Sequence, residues 1–287
     1  MKLHFMKYRK IAYVISAALV LLSVLSLVFR GLNYGIDFAG GISMEVKPIV
    51  ENYGIEQMRD ALSEFNPELQ EVDGNAILLR VGLPKGSTDA QQNERVGEIK
   101  NILGDNVQYS QVQIVGPKIG GELIRGGILA ILFAFIMMAV YVWIRYKGGY
   151  AIGAFGSLFL DFVLMFGFYS WTGLEFNQTS IAVILTAIGY SINDKVVNYD
   201  RIEENIKKYH KMPMADLIDL SVNEMLRRTM LTSVSTLLAM VGLFLFGGQM
   251  LREFAIAMGF SIIMGTFTSI YISNMILYNF NLRDSDK

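Results

Sequence analysis

Gly127-Ile128-Leu129-Ala130-Ile131-Leu132-Phe133-Ala134-Phe135-Ile136-Met137-Met138-Ala139-Val140-Tyr141-Val142-Trp143-Ile144 runs for eighteen residues without a charge or a proline. A helix needs roughly 20 such residues to cross a bilayer core about 30 Å thick. Five more stretches read the same way: Ile11–Phe29, Ala151–Trp171, Thr179–Val197, Thr229–Phe246 and Phe254–Tyr278. Six membrane spans are therefore predicted. The composition agrees, with hydrophobic residues at 53% and charged residues at 18%, against about 25% charged in an ordinary globular protein. So few charges leave too little polar surface to face water on all sides.

The same composition narrows the function. A net charge of −1 provides no basic footprint for nucleic acid. With no cysteine there is no disulfide framework, thiol nucleophile or thiolate metal site. His4 and His210 stand far apart in polar flanks, which argues against a metal centre. The reading is of a protein that is not an enzyme and carries no cofactor.

Direction follows from the basic residues, which collect on the cytoplasmic side. Lys2, Lys7, Arg9 and Lys10 precede the first span. Ser26-Leu27-Val28-Phe29-Arg30 at its end is no small-x-small cleavage site, so the segment reads as a retained anchor. Arg145, Lys147 and the stretch Arg201–Arg228 are the other basic loops. Both termini are then cytoplasmic, in a multi-pass membrane protein surrounded by lipid. The chain divides into 1–10 (cytoplasmic), 11–29 (first span), 30–125 (a domain on the far side of the membrane), 126–278 (spans two to six, with a cytoplasmic segment 200–228) and 279–287 (cytoplasmic).

The far-side domain, with eight basic against fourteen acidic residues from Gly31 to Arg125, alternates between two periods. Ile42–Val46 and Ala76–Val81 read as strands, and Ile55, Met58, Leu62 and Phe65 share a helix face. Ser87 is placed to cap a helix carrying Val96, Ile99 and Leu103. Val107–Tyr109 and Val112–Val115 read as further strands. This order suggests a small α+β domain of ferredoxin-like type. No catalytic set stands out in it.

Ionisable groups at membrane depth cost on the order of 3 kcal/mol or more, so each asks for a reason. In the fourth span Tyr190, Ser191, Asp194 and Asn198 form a polar stripe, with Asn193 and Lys195 beside it. In the fifth, Arg228, Thr232, Ser235 and Thr236 fall at helical spacing, with Arg228 at the same end of the bilayer as Asp194. A carboxyl whose distance from a cation changes can exchange a proton. Proton coupling, a structural polar lock and interfacial hydration are the three readings of this pair. Lys195 is expected to snorkel to the cytoplasmic surface, with a direct counter-ion role as the second alternative. Asp161 continues the ridge Gly149, Gly153, Ser157 and should face protein, with an accessory relay role open to it. Ala257, Ser261, Gly265, Ser269 and Ser273 form a similar ridge in the sixth span. In the cytoplasmic segment, Glu203–Lys207 and Glu204–Lys208 are candidate pairs, and Leu217, Ile218, Leu220 and Val222 offer an apolar face to the membrane.

Four stretches resemble the SecF branch of the SecD–SecF protein-export family, within the resistance–nodulation–division superfamily. They are Gly35-Ile36-Asp37-Phe38-Ala39-Gly40-Gly41, Val115-Gly116-Pro117-Lys118-Ile119-Gly120-Gly121-Glu122-Leu123, Gly189–Asn205, and Arg228-Thr229-Met230-Leu231-Thr232-Ser233. The resemblance implies a place in the bacterial inner membrane, a periplasmic location for 30–125, and pairing with SecD in a twelve-span unit. It also implies work alongside the SecYEG translocon and use of the proton motive force to move exported preproteins at a late stage. It places the family's essential acid at Asp194 and its arginine at Arg228. Gly35, Asp37, Gly40 and Gly41, with Gly116, Pro117 and Gly120, would form the joints of the periplasmic domain. Lys195 stands where the family usually has threonine, Asn198 where it has an aliphatic residue, and Asn274 where it often has proline. Protons are the implied coupling ion, with sodium as the other candidate. Two further readings are half of a proton-driven small-molecule or lipid exporter, and a scaffold at the translocon that transports nothing.

Overall fold

The computed structural model describes residues 3–50, 53–72, 75–84, 87–146 and 148–280, and all but the side chains of Asp89, Pro117, Lys118, Ile119 and Gln249 within them. Lys2, Lys147 and residues 281–287, on which part of the charge argument rests, lie outside these residues. The elements in chain order are α1 (Arg9–Phe29), β1 (Asn33–Tyr34), the single turn α2 (Ile36–Ala39), β2 (Gly41–Pro48), α3 (Ile55–Ala61), β3 (Glu68–Val72), β4 (Ala76–Val81), α4 (Asp89–Leu103) and β5 (Val107–Val115). They continue with α5 (Pro117–Arg145), α6 (Gly148–Thr172), β6 (Glu175–Phe176), α7 (Gln178–Lys208), α8 (Met214–Phe246), α9 (Gln249–Phe267) and, after a π turn at Thr268–Ile272, α10 (Ser273–Tyr278).

Six helical segments among the described residues are long and apolar enough to cross a membrane. The chain forms two compact units. The first takes the described parts of Met1–Asn33, Ala130–Leu174 and Thr179–Lys287. In it the third, fourth and sixth spans are the inner helices: in the apolar stretch that marks each span, 56% of the sixth is buried within the protein, against 11% of the fifth. The reason is composition. Small residues on α6, among them Gly153, Ala154, Ser157 and Gly167, let neighbours come close. The first, second and fifth spans carry large apolar side chains outward, including Phe133, Trp143, Leu238 and Phe246.

The helices outrun the apolar runs. At 1.5 Å per residue, α7 and α8 each exceed a hydrocarbon core about 30 Å thick by several turns. The segment 200–228 thus consists of helix ends joined at 209–213, where Pro213 blocks continuation of the first and caps the second. Leu217, Ile218 and Val222 are buried in protein, which corrects the expectation that they lie along the membrane. Glu203 does pair with Lys207, at 2.7 Å. Glu204 pairs with Arg201 at 2.6 Å, while Lys208 lies over the Tyr209 ring.

The second unit holds Tyr34–Leu129 and, unexpectedly, Glu175–Gln178 from the loop between the third and fourth spans. Its sheet runs β3-β4-β2-β5, antiparallel throughout. Ile42, Met44, Val46, Ile77, Leu79 and Val81 point from it into a core closed by Met58 of α3, Leu62 at its end, and Val96, Ile99 and Leu103 of α4. Val107–Val115 is one continuous strand, so the two short strands expected there are joined. The register shift opposite Glu45 and Val46 breaks the alternation that would have shown this. β3 was not foreseen, because a charged edge strand carries little apolar signal. The cap of α4 is Thr88, which exchanges hydrogen bonds with Gln91, while Ser87 turns back to the Pro84 carbonyl.

Candidate functional site

Ile181, Ile184, Ile188, Ser191, Lys195, Tyr199, Ile202 and Ile206 follow one another on α7 at steps of three and four, and all are buried. Lys195 therefore sits on the inner face of its helix and is 0% exposed, which corrects the expectation that it reaches the surface. Four methylenes do not carry an ammonium past Tyr199 and Ile202 on the same face. It turns to Asp161 of α6 instead, with Nζ 2.8 Å from Oδ2.

Hydroxyl groups surround this pair. Ser191 Oγ donates to Asp161 Oδ2 at 2.6 Å, and Thr268 Oγ1 donates to Oδ1 at 2.5 Å. Lys195 in turn donates to Ser191 Oγ, and lies 3.4 Å from both Thr268 Oγ1 and Ser269 Oγ. The π turn brings Thr268 and Ser269 to the same cluster. Asn274 holds that turn, donating from Nδ2 to the carbonyls of Ser269 (3.1 Å) and Ile270 (2.8 Å). Gly265 makes room: a Cβ there would stand 3.3 Å from Ser191 Oγ.

Asp194 and Asn198 lie one turn apart on the neighbouring face of α7, 3% and 1% exposed. Asp194 Oδ2 and Asn198 Nδ2 are both buried without a hydrogen-bond partner among the described residues. Arg228 is exposed, and no ion pair joins it to Asp194 among those residues. Tyr190 Oη and Thr236 Oγ1 meet at 3.2 Å, linking the fourth and fifth spans. Asn193 and Ser235 are exposed. Thr232 and Ser235 donate back to carbonyls of their own helix. The polar face of α8 that is buried runs one residue away, through Thr229 and Ser233, the latter 2.8 Å from Thr266.

Below this lies a second polar layer. Arg145 pairs with Asp200 at 2.5 Å, and Tyr146 donates to the same carboxylate at 2.8 Å. Burial, and then the Asp200 carboxylate, push the Tyr146 phenol above its ordinary value. Arg201 pairs with Glu224 at 2.6 Å, and Asn205 donates to Ser221 and Glu224, both at 2.9 Å.

Residues 95–283 match the family described as protein export membrane protein SecD/SecF, C-terminal, and residues 25–48 match the SecD/SecF GG motif. The chain belongs to the SecD/SecF family. It is 39% identical to the protein translocase subunit SecF of Rickettsia conorii, over 99% of this chain and 93% of that one. The Rickettsia felis SecF is 40% identical over the same shares. A crystal structure of SecDF from Thermus thermophilus, a translocon-associated membrane protein, superposes with a TM-score of 0.84 at 31% identity. It covers all of this chain, which spans 39% of that longer one. SecDF in its super-membrane-facing form gives 0.70 at 32% identity, with coverage of 100% and 40%. Fold and membrane class are those of SecDF.

Within the SecD/SecF frame, the GG motif is a packed element of the second unit. Gly35 N donates to the Phe176 carbonyl at 3.0 Å, and the Phe38 ring lies tilted by 41° against that of Phe176. Asp37 Oδ2 accepts from the backbone N of Gln178, 3.1 Å away. Gly40 adopts φ +73°, a conformation that favours glycine. A Cβ on Gly41 would stand 2.9 Å from the Val81 carbonyl oxygen, and one on Gly120 2.9 Å from that of Phe38. The two glycine-rich motifs thus lie against each other. Gly116 approaches Gln92, and of Pro117 only the backbone is described, at the start of α5. Arg80 forms an ion pair with Glu175. Sequence reading missed the part played by 175–178; alternation of Glu175 with Phe176 in a short loop was its only signal.

Proposed function

We propose that this chain is an energy-coupling subunit of bacterial protein export. It pairs with a SecD-type chain beside the SecYEG translocon and uses the proton motive force to promote late translocation of preproteins. The observation that carries this reading is Asp194, a buried carboxylate oxygen without a hydrogen-bond partner, on the helix whose adjacent face holds a closed ion pair. Asp161 is committed to donors, accepting from Lys195, Ser191 and Thr268. Asp194 is not. Each proton crossing supplies about 2.3 kcal/mol per 100 mV. Arg228 is the cation that a SecD-type partner, or a movement of the fifth span, would bring to bear.

In this reading both termini are cytoplasmic and the second unit is periplasmic. Its β-α-β-β-α-β order and the spatial order 2-3-1-4 of those strands support a ferredoxin-like description. The joints are Gly35–Gly41 and Gly116–Gly120. An exporter of small molecules is the weaker alternative, because a domain of this size holds no substrate compartment. The scaffold alternative draws on the Asp161–Lys195 pair, which is saturated as a structural lock would be.

The test is late-stage translocation of a precursor into inverted membrane vesicles, with and without a proton gradient, comparing native protein and Asp194→Asn at matched expression. The reading expects the gradient-dependent component to vanish in the variant alone. An equal response from both would favour the scaffold.

A further inference from the structure

An ion pair needs two residues, and this one is joined by three more, Ser191, Thr268 and Ser269. Asp161, Ser191, Thr268 and Ser269 contribute one carboxylate and three hydroxyl oxygens that converge on a single point, where Lys195 Nζ lies. The hydroxyl protons of Ser191 and Thr268 are turned away from that point, onto the two Asp161 oxygens. Their lone pairs are left facing inward. Carboxylate and hydroxyl oxygens are hard donors and suit hard cations. One carboxylate balances one positive charge, so the set fits a monovalent ion; a divalent one would leave buried charge unbalanced. The backbone is shaped for this arrangement. The π turn sets two consecutive hydroxyls on the same point, and Asn274 satisfies carbonyls on the far side of that turn.

We propose that Asp161, Ser191, Thr268 and Ser269 form a monovalent-cation site, and that the Lys195 ammonium is its permanent, tethered occupant. Lys195 is then a specificity-determining residue. It holds the charge that a free alkali ion would supply, and bars such an ion from the interior of this chain. The cage stands on its own geometry. Its consequence, that the coupling ion is the proton at Asp194 and not sodium at Asp161, rests on the export reading above.

A binding measurement separates the two claims. The purified full-length chain in detergent is heated in sodium, lithium, potassium and choline chlorides at equal ionic strength. Native protein should unfold at one temperature in all four. Lys195→Thr, which removes the ammonium and adds an oxygen, should be less stable in choline. It should gain several degrees in one of the alkali salts, rising with the logarithm of ion concentration. Adding Asp161→Asn should abolish that gain, and Lys195→Met, which fills the cage with an apolar stem, should show none. A Lys195→Thr protein that folds only when an alkali salt is present supports the proposal equally. The proposal is overturned if Lys195→Thr unfolds at the same temperature in choline as in every alkali salt, or is unfolded in all of them. It is also overturned if native protein shows the same alkali-specific gain. None of these outcomes depends on export, which the Asp194→Asn assay reads by itself.

Discussion

The side-chain amide of Asn274 donates to the main-chain carbonyl of Ser269, five residues earlier and 3.1 Å away, and so closes the widened turn of the sixth span. A π turn leaves carbonyls whose usual helical donors are displaced. Asn274→Ala withdraws the donor from buried carbonyls, which costs about 1–3 kcal/mol. The variant should melt several degrees lower in detergent, with faster hydrogen exchange at 268–274. Unchanged exchange there would show that the turn holds without the amide.

Asp161 and Lys195 should behave as a unit. Breaking a buried pair by removing one partner destabilises by about 3–5 kcal/mol, while replacing both is far milder. Asp161→Asn and Lys195→Met, each alone and together in choline buffer, form a double-mutant cycle. The double variant should be more stable than the sum of the single losses predicts. Additive losses would mean that the two groups are not coupled.

Gly120 and Gly121 make a matched comparison. A Cβ at Gly120 would meet the Phe38 carbonyl at 2.9 Å and that of Asp37 at 3.2 Å, whereas one at Gly121 meets nothing within 4 Å. Backbone atoms yield less than side chains, so Gly120→Ala should lose about 1–3 kcal/mol. Limited proteolysis of the full chain should then cut the GG-motif unit sooner. Gly121→Ala should leave both unchanged, and equal cleavage of the two variants would contradict the packing of the motifs.

Tyr146 predicts a pH dependence. Burial and Asp200 raise its folded-state value above the 10.0 of an unperturbed phenol. Above pH 10 the unfolded chain releases this proton while the folded chain keeps it. The unfolded state then binds fewer protons, and stability falls as pH rises. Well below pH 10 both states hold the proton and the group contributes no slope. Tyr146→Phe should flatten part of the decline measured by chemical denaturation between pH 9.5 and roughly pH 11, a window set by ordinary tyrosine values. Identical slopes in both proteins would remove Tyr146 from that balance.

The spans were legible because the length of an apolar run answers directly to the thickness of a bilayer. The interior of the bundle was harder, and Lys195 shows why. Snorkelling is the usual fate of lysine near a helix end, but here the isoleucine stripe from Ile181 to Ile206 passes through position 195. Following that stripe would have placed the ammonium inward, and Asp161 on its glycine ridge was the available counter-charge. The fifth-span stripe was read one residue off, because Thr232 and Ser235 are polar yet satisfied by their own helix, and Thr229 and Ser233 are the buried pair. Asp37 reaching Gln178, and Arg80 reaching Glu175, join residues far apart in sequence, and no local pattern announces such partners.

Those last contacts bear on how the protein is made. Leu129 ends the main stretch of the second unit, and Glu175–Gln178, its remaining piece, emerges only after the whole third span has been synthesised. At about 5–20 residues per second, the ribosome leaves that unit unfinished for several seconds. During this interval Phe38 lacks Phe176, Arg80 lacks Glu175, and Asp37 lacks the amide of Gln178. The nascent domain is sealed only after the third spanning helix has been made, so its maturation follows the progress of membrane insertion.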